Sequence, residues 1–111
     1  MSKLTELNCI ACSKNAVLLT KDEIEQLLSE IPDWKVICDD GIQKLTQEFK
    51  TRNYTRSVSF ANAVAQLAEA SNHHPQIIME YSIVTVVWWS HIIKGLHKND
   101  FIMAAKTSKL F

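Results

Sequence analysis

Glycine and proline are scarce in this chain, two of each among 111 residues. That scarcity excludes collagen-like and low-complexity architectures and leaves few obligatory sharp turns. Neither sign of charge is in surplus: twelve Lys and Arg offset twelve Asp and Glu. A protein that grips nucleic acid by its phosphates usually shows a basic excess or stripe, so nucleic acid is not an expected partner. Long hydrophobic runs are missing as well. The longest, Ile83 to Trp89, is interrupted by Thr85 and is far too short to span a bilayer. Met1 to Asn8 carries no apolar segment of signal-peptide length. The expectation is a cytoplasmic protein without a membrane partner. The three cysteines are odd in number, with Cys9 and Cys12 only three apart, and they do not make a disulfide framework.

What is present is the composition of an ordinary globular domain, 47% hydrophobic and 22% charged, and the length fits one domain over residues 1–111. Residues 1–19 show no periodicity and read as an irregular arm. Thr20 with Glu23 then forms a T-x-x-E capping box, followed by Ile24, Leu27, Leu28 and Ile31 at helical spacing, with Pro32 closing the run. Trp34 to Cys38 and Ile42 to Lys50 read as strands of a hairpin around Asp39-Asp40-Gly41. In the second strand Lys44, Thr46 and Glu48 share a face expected to be wet, against Leu45, Gln47 and Phe49. Asn53 to about Asn72 is the longest helical pattern. Its apolar stripe is Tyr54, Val58, Ala61, Ala65 and Ala68, widened by Phe60, Val64 and Leu67, and Pro75 limits its end.

Gln76 to Tyr81 and Val84 to Ser90 read as a second hairpin around Ser82-Ile83, a poor turn because Ile resists positive φ. The last strand is apolar on both faces, so Val87 and Trp89 call for a cover beyond the helices, most simply a partner subunit. Asp100 to about Phe111 forms a last helix with Phe101, Ala104, Ala105 and Ser108 at helical spacing. The order helix, two strands, helix, two strands, helix predicts an α+β fold, a four-stranded antiparallel sheet with helices on one face.

His73, His74 and His91 fall within nineteen residues, and His97 follows. A two-residue hairpin loop pairs Tyr81 with Val84, hence Gln76 with Trp89, and sets Pro75 and His74 opposite Ser90 and His91. The histidines then meet at one end of the sheet, and Glu69, one helical turn before His73, points to the same end. Clustered imidazoles also suit zinc, but this spacing matches no common zinc motif. Cys9-x-x-Cys12 lacks the second pair a zinc site wants, since Cys38 stands alone.

The run Glu69-x-x-x-His73-His74-Pro75, then five residues to Tyr81, nine to His91 and eight to Asp100, resembles the signature of the pterin-4a-carbinolamine dehydratase family. Cys9-x-x-Cys12, Leu19-Thr20, Asp33-Trp34, Phe60-Ala61-Asn62-x-Val64, Leu67-Ala68-Glu69 and Asp100-Phe101-x-x-Ala104-Ala105-Lys106 extend the likeness over nearly the whole chain. Two features depart from the family pattern. Ile92-Ile93-Lys94-Gly95 replaces a small, polar stretch with an acidic residue and two glycines, and His97 replaces a Thr or Ser cap.

The resemblance implies a hydro-lyase acting on the carbinolamine left when an aromatic amino acid hydroxylase has spent its tetrahydropterin. It implies His73, His74 and His91 as the active-site set, with His73 and His91 as acid and base and His74 binding the pterin. Glu69, Asp100 and Tyr81 would be supporting or substrate-binding residues. The nitrogen lone pair at N5 of the pterin helps expel the hydroxyl, so neither a metal nor a cofactor is expected. A homodimer or homotetramer is implied too. Two other readings stay open: a dimerisation partner for a transcription factor, as some family members are, and a dehydratase for a different pterin.

Overall fold

The structure, a computed structural model, describes residues 4–7 and 18–111. Cys9 and Cys12 lie outside the described residues. Of the expected arm, Leu4–Glu6 form a 3-10 turn that buries Leu4 and packs against the last helix.

Helix α1 spans Lys21–Leu28. Its capping box forms as expected: the Thr20 hydroxyl accepts from the Glu23 N–H at 3.2 Å and the Glu23 carboxylate accepts from the Thr20 N–H at 2.9 Å. The Thr20 N–H foremost, and its side chain second, hold the Glu23 carboxyl below the usual carboxylate range. A carboxyl depressed in the folded state stabilises above its unfolded pKa, and that contribution fades as pH falls through the folded value. The helix ends at the Ser29 cap, three residues before Pro32, and Ile31 still reaches the core through the following turn.

Strands β1 (Lys35–Asp39) and β2 (Ile42–Lys50) pair antiparallel with Asp39 opposite Ile42. The loop is therefore Asp40-Gly41, with φ of 53° and 78°. Positive φ at both central residues is the type I′ turn that matches strand twist. A Cβ on Gly41 would meet nothing within 4 Å. Gly41→Ala is thus expected to lose stability through backbone strain alone, about 1–2 kcal/mol. Urea unfolding measures it, and an unchanged midpoint would contradict the turn assignment.

Helix α2 spans Tyr54–Ser71, capped by Asn53, and α3 spans Lys98–Leu110, beginning two residues earlier than its spacing suggests. Strands β3 (Gln76–Met79) and β4 (Ile83–Trp88) complete one sheet in the order β1-β2-β4-β3, all pairs antiparallel. The expected α+β architecture is the one observed. The core lies between sheet and helices. Leu45, Val84, Val86, Trp88, Phe101 and Met103 are fully buried in it. Both core-facing indoles bond to α3: Trp88 Nε1 donates to Thr107 Oγ1 at 3.1 Å and Trp34 Nε1 to Ser108 Oγ at 2.8 Å.

Three sequence expectations shift. The second hairpin turns at Tyr81-Ser82, not Ser82-Ile83, because Met79 faces Val84 and Gln76 faces Val87. Ile83 thereby stays extended, where a β-branched residue is comfortable. The Ser82 carbonyl accepts from the Thr51 and Arg52 N–H groups, and Ser57 Oγ donates to the Tyr81 carbonyl, so the turn is held from outside. The α2 stripe is rotated: Ser57, Phe60, Val64 and Ala68 are buried, while Tyr54 and Ala65 are exposed. Ser57 can sit inside because Thr51 Oγ1 and the Tyr81 carbonyl satisfy its hydroxyl. The far sheet face is drier than expected. Lys44 is buried there, and Val87 is only 5% exposed within one chain, leaving Ile37 and Ile78 as the exposed aliphatic residues of that face.

Candidate active site

Helix α2 ends on Asn72, which takes the left-handed conformation at φ 50°. Asn tolerates that region better than most residues, and the reversal sends the His73 N–H back to the Ala68 carbonyl at 3.2 Å. Adjacent histidines then part company. His73 points inward and is 8% exposed; His74 points outward. Pro75 leads into β3.

The inward ring lies parallel to the Trp88 indole, 5.7 Å between centroids and 4° between planes. Its Nε2 is 2.7 Å from Asp100 Oδ1. Asp100 is fully buried, and its other oxygen accepts from Ser90 Oγ at 2.8 Å and from the His97 N–H at 2.9 Å. The carboxylate at N3 of α3 therefore does three things: it caps the helix, satisfies a buried hydroxyl and fixes an imidazole. His97 replaces the expected hydroxyl cap effectively, its Nδ1 accepting from the Asn99 N–H at 3.1 Å. The capping box is whole although the hydroxyl is replaced.

His74 Nε2 sits 2.8 Å from Glu69 Oε1, both side chains largely exposed. His91 Nε2 donates to the His74 carbonyl at 3.2 Å. A carbonyl only accepts, so that nitrogen carries the proton. Ionised carboxylates also only accept, which places protons on Nε2 of His73 and His74 in the same way. In each ring Nδ1 is the nitrogen outside these bonds.

The expected convergence is therefore present: Glu69, His73, His74, His91 and Asp100 share one end of the β3–β4 hairpin. His73 was expected at the rim of the sheet and lies inside it instead, because Asp100 and Trp88 offer a polar partner and a flat apolar one. Tyr81 is not brought to the group. It occupies the turn at the opposite end of the hairpin and is 71% exposed. Sequence reading missed Ser90, although strand alternation puts residues 84, 86, 88 and 90 on the core face. The divergent Ile92-Ile93-Lys94 forms a turn closed by paired backbone bonds between Ser90 and Gly95. A separate groove of about 560 Å³, lined by Leu4, Leu7, Leu19, Leu27 and Lys98 among others, holds no histidine.

At one end of the sheet of this α+β sandwich stand three imidazoles, two on carboxylates and one on a carbonyl, a side-chain type that can both take and give a proton near neutral pH. Comparison with known proteins shows the family. The family model for pterin 4 alpha carbinolamine dehydratase matches residues 17–110. A Nitrosococcus oceani protein is 48% identical over 110 residues, covering 99% of this chain and 97% of its own. A Vibrio cholerae serotype O1 protein is 51% identical over 107 residues, covering 96% and 98%. Both carry the name "putative pterin-4-alpha-carbinolamine dehydratase". A Brucella melitensis crystal structure, described as a transcriptional coactivator/pterin dehydratase, superposes with TM-score 0.77 at 28% identity, covering 85% of this chain and 98% of that one. The chain belongs to the pterin-4a-carbinolamine dehydratase family.

Proposed function

We propose that this chain is a dehydratase that converts a 4a-hydroxytetrahydropterin to the quinonoid dihydropterin and water by histidine acid–base catalysis. The observation that carries the reading is that His73, His74 and His91 are each anchored through Nε2, leaving Nδ1 of each ring for a substrate. Loss of water needs one group to protonate the departing C4a hydroxyl and another to accept the proton from N5. The N5 lone pair then closes the C4a=N5 bond as the C4a–O bond breaks. His73 and His91 form the donor and acceptor pair, since a neutral Nδ1 takes a proton and a protonated one gives it. After turnover the two rings have exchanged protonation states, and solvent resets them.

His74 binds the pterin, with Glu69 orienting its ring. Asp100 acts through His73 as buried carboxylates act on catalytic imidazoles, fixing tautomer and direction. Tyr81 supports the hairpin turn through its carbonyl and takes no part in the proton transfers. The substrate comes from the reaction of an aromatic amino acid hydroxylase, so the chain recycles that pterin in the cytoplasm. Among the described residues no helix is long and apolar enough to cross a membrane. Self-association as a homodimer or homotetramer is supported by Ile37 and Ile78, both exposed on the sheet face away from the helices.

The test follows the absorbance of a synthetic 4a-hydroxytetrahydropterin with and without the protein. Conversion well above the spontaneous rate is expected, and micromolar protein that leaves the rate unchanged would overturn the reading.

A further inference from the structure

His91 is the least constrained of the three imidazoles. It is exposed, opens the turn over residues 91–94, and has one bond of 3.2 Å to a backbone carbonyl. One such bond leaves the ring free to swing about the N–H···O line, which is too loose for a group that must meet a reacting atom. What stops the swing is an indole. The Trp89 ring lies against the His91 ring with centroids 4.4 Å apart and planes tilted by 37°.

Trp89 is itself held. Lys44 of β2 places Nζ 4.0 Å from the centroid of the Trp89 ring. The register explains the meeting: Leu45 faces Trp88, so Lys44 falls beside Trp89 on the far sheet face. Lysine is almost never this buried without partners. Lys44 is 8% exposed, and its ammonium has two: the indole and Asp39 Oδ2 at 3.0 Å. An ammonium over an indole face is the most favourable cation–π pair. Asp39, Lys44, Trp89 and His91 form a continuous line of contacts from the outer strand to the site.

We infer that Trp89 is a positioning residue for His91, and that Lys44, tied to Asp39, holds Trp89 in the orientation that does this. The inference rests on His91 taking part in the dehydration proposed above. Neither side chain is asked to touch the reacting atoms. The indole limits the ring to one orientation, so that the Nδ1 of His91 is aimed before the pterin arrives.

The test uses the full chain and two readouts. Proton NMR of the His91 ring reports the indole directly, through ring-current shifts, whether or not the protein has activity. Saturation kinetics on the synthetic carbinolamine report the consequence. Trp89→Leu should abolish the ring-current shifts and lower kcat about tenfold, within the range that misplaced catalytic groups show, with KM little changed because His74 binds. Trp89→Phe keeps a ring and should restore most of both readouts. Lys44→Met keeps the aliphatic stem and removes the charge, and should shift the indole resonances and lower kcat by a smaller factor, while Lys44→Arg retains the wild-type values. Should Trp89→Leu fail to fold, the Phe and Met variants carry the comparison. Unchanged His91 shifts in folded Trp89→Leu overturn the inference, and so does a lower kcat without a change in those shifts. A wild-type protein that does not turn over the carbinolamine overturns the proposed function instead, while the NMR arm still reads whether Trp89 orders His91.

Discussion

Asp100→Ala is expected to destabilise the fold by about 3–5 kcal/mol, as removal of one partner of a buried pair commonly does. The reason is the number of groups it strands. The buried His73 ring N–H, the buried Ser90 hydroxyl and the part-buried His97 backbone N–H all lose their acceptor. Each buried donor left unpaired costs roughly 1–3 kcal/mol. For a domain of this size the melting temperature should fall by roughly 4 °C per kcal/mol. Asp100→Asn keeps the shape and an acceptor for the cap, but it can present an amide N–H to a ring that also donates. That variant should fold better than the alanine one and still lose turnover, because His73 has to change tautomer. Thermal melts paired with kinetics separate the two effects. An alanine variant that melts with the wild type would show that Asp100 is not the hub described.

The second large effect is on the reaction. His91→Ala should lower kcat by about 100- to 10,000-fold, the usual contribution of a general acid or base. Its melt should hardly move, since His91 is exposed. His73→Ala should lose turnover to a similar degree and stability as well, because that ring fills space against Trp88 and uses the Asp100 carboxylate. The double variant should lose less than the product of the single losses, because both rings serve one reacting centre. Wild-type kcat in folded His91→Ala would remove His91 from the mechanism.

Much of this arrangement was legible in the residues. Thr20 with Glu23 and the hairpin around Asp39-Asp40-Gly41 are local chemistry, decided within four residues; the capping box forms as read, and the hairpin forms with Asp39 drawn into the strand and Asp40-Gly41 left as the turn. The convergence of His73-His74 with His91 survived a register error, because a shift of two residues in the pairing sum keeps every side chain on its face. What did not show was anything decided by distant partners. Ser57 outcompetes Tyr54 and Ala65 for the core of α2 only because Thr51 and the Tyr81 carbonyl, from two other segments, satisfy its hydroxyl. His73 reads as a rim residue until Asp100, twenty-seven positions later, is folded back onto it. Lys44 reads as solvated until Trp89 from a neighbouring strand is laid beneath its ammonium. His97 looked like a weakened cap because hydroxyls and carboxamides are the familiar ones, yet an imidazole nitrogen accepts the same N–H.

The central claim is that a pterin meets three imidazoles whose Nδ1 atoms are left for it. Long-range ¹H–¹⁵N correlation of the histidine side chains, recorded during titration with oxidised biopterin, tests this most directly. The free protein should show protonated Nε2 in the neutral rings of His73, His74 and His91. Adding the pterin should shift the Nδ1 signals of those three residues in concert, with the capping ring of His97 responding least. Saturable backbone-amide shifts confined to the α1 groove, such as those of Leu27 and Lys98, recorded in the same titration with the three imidazoles unmoved, would contradict the account.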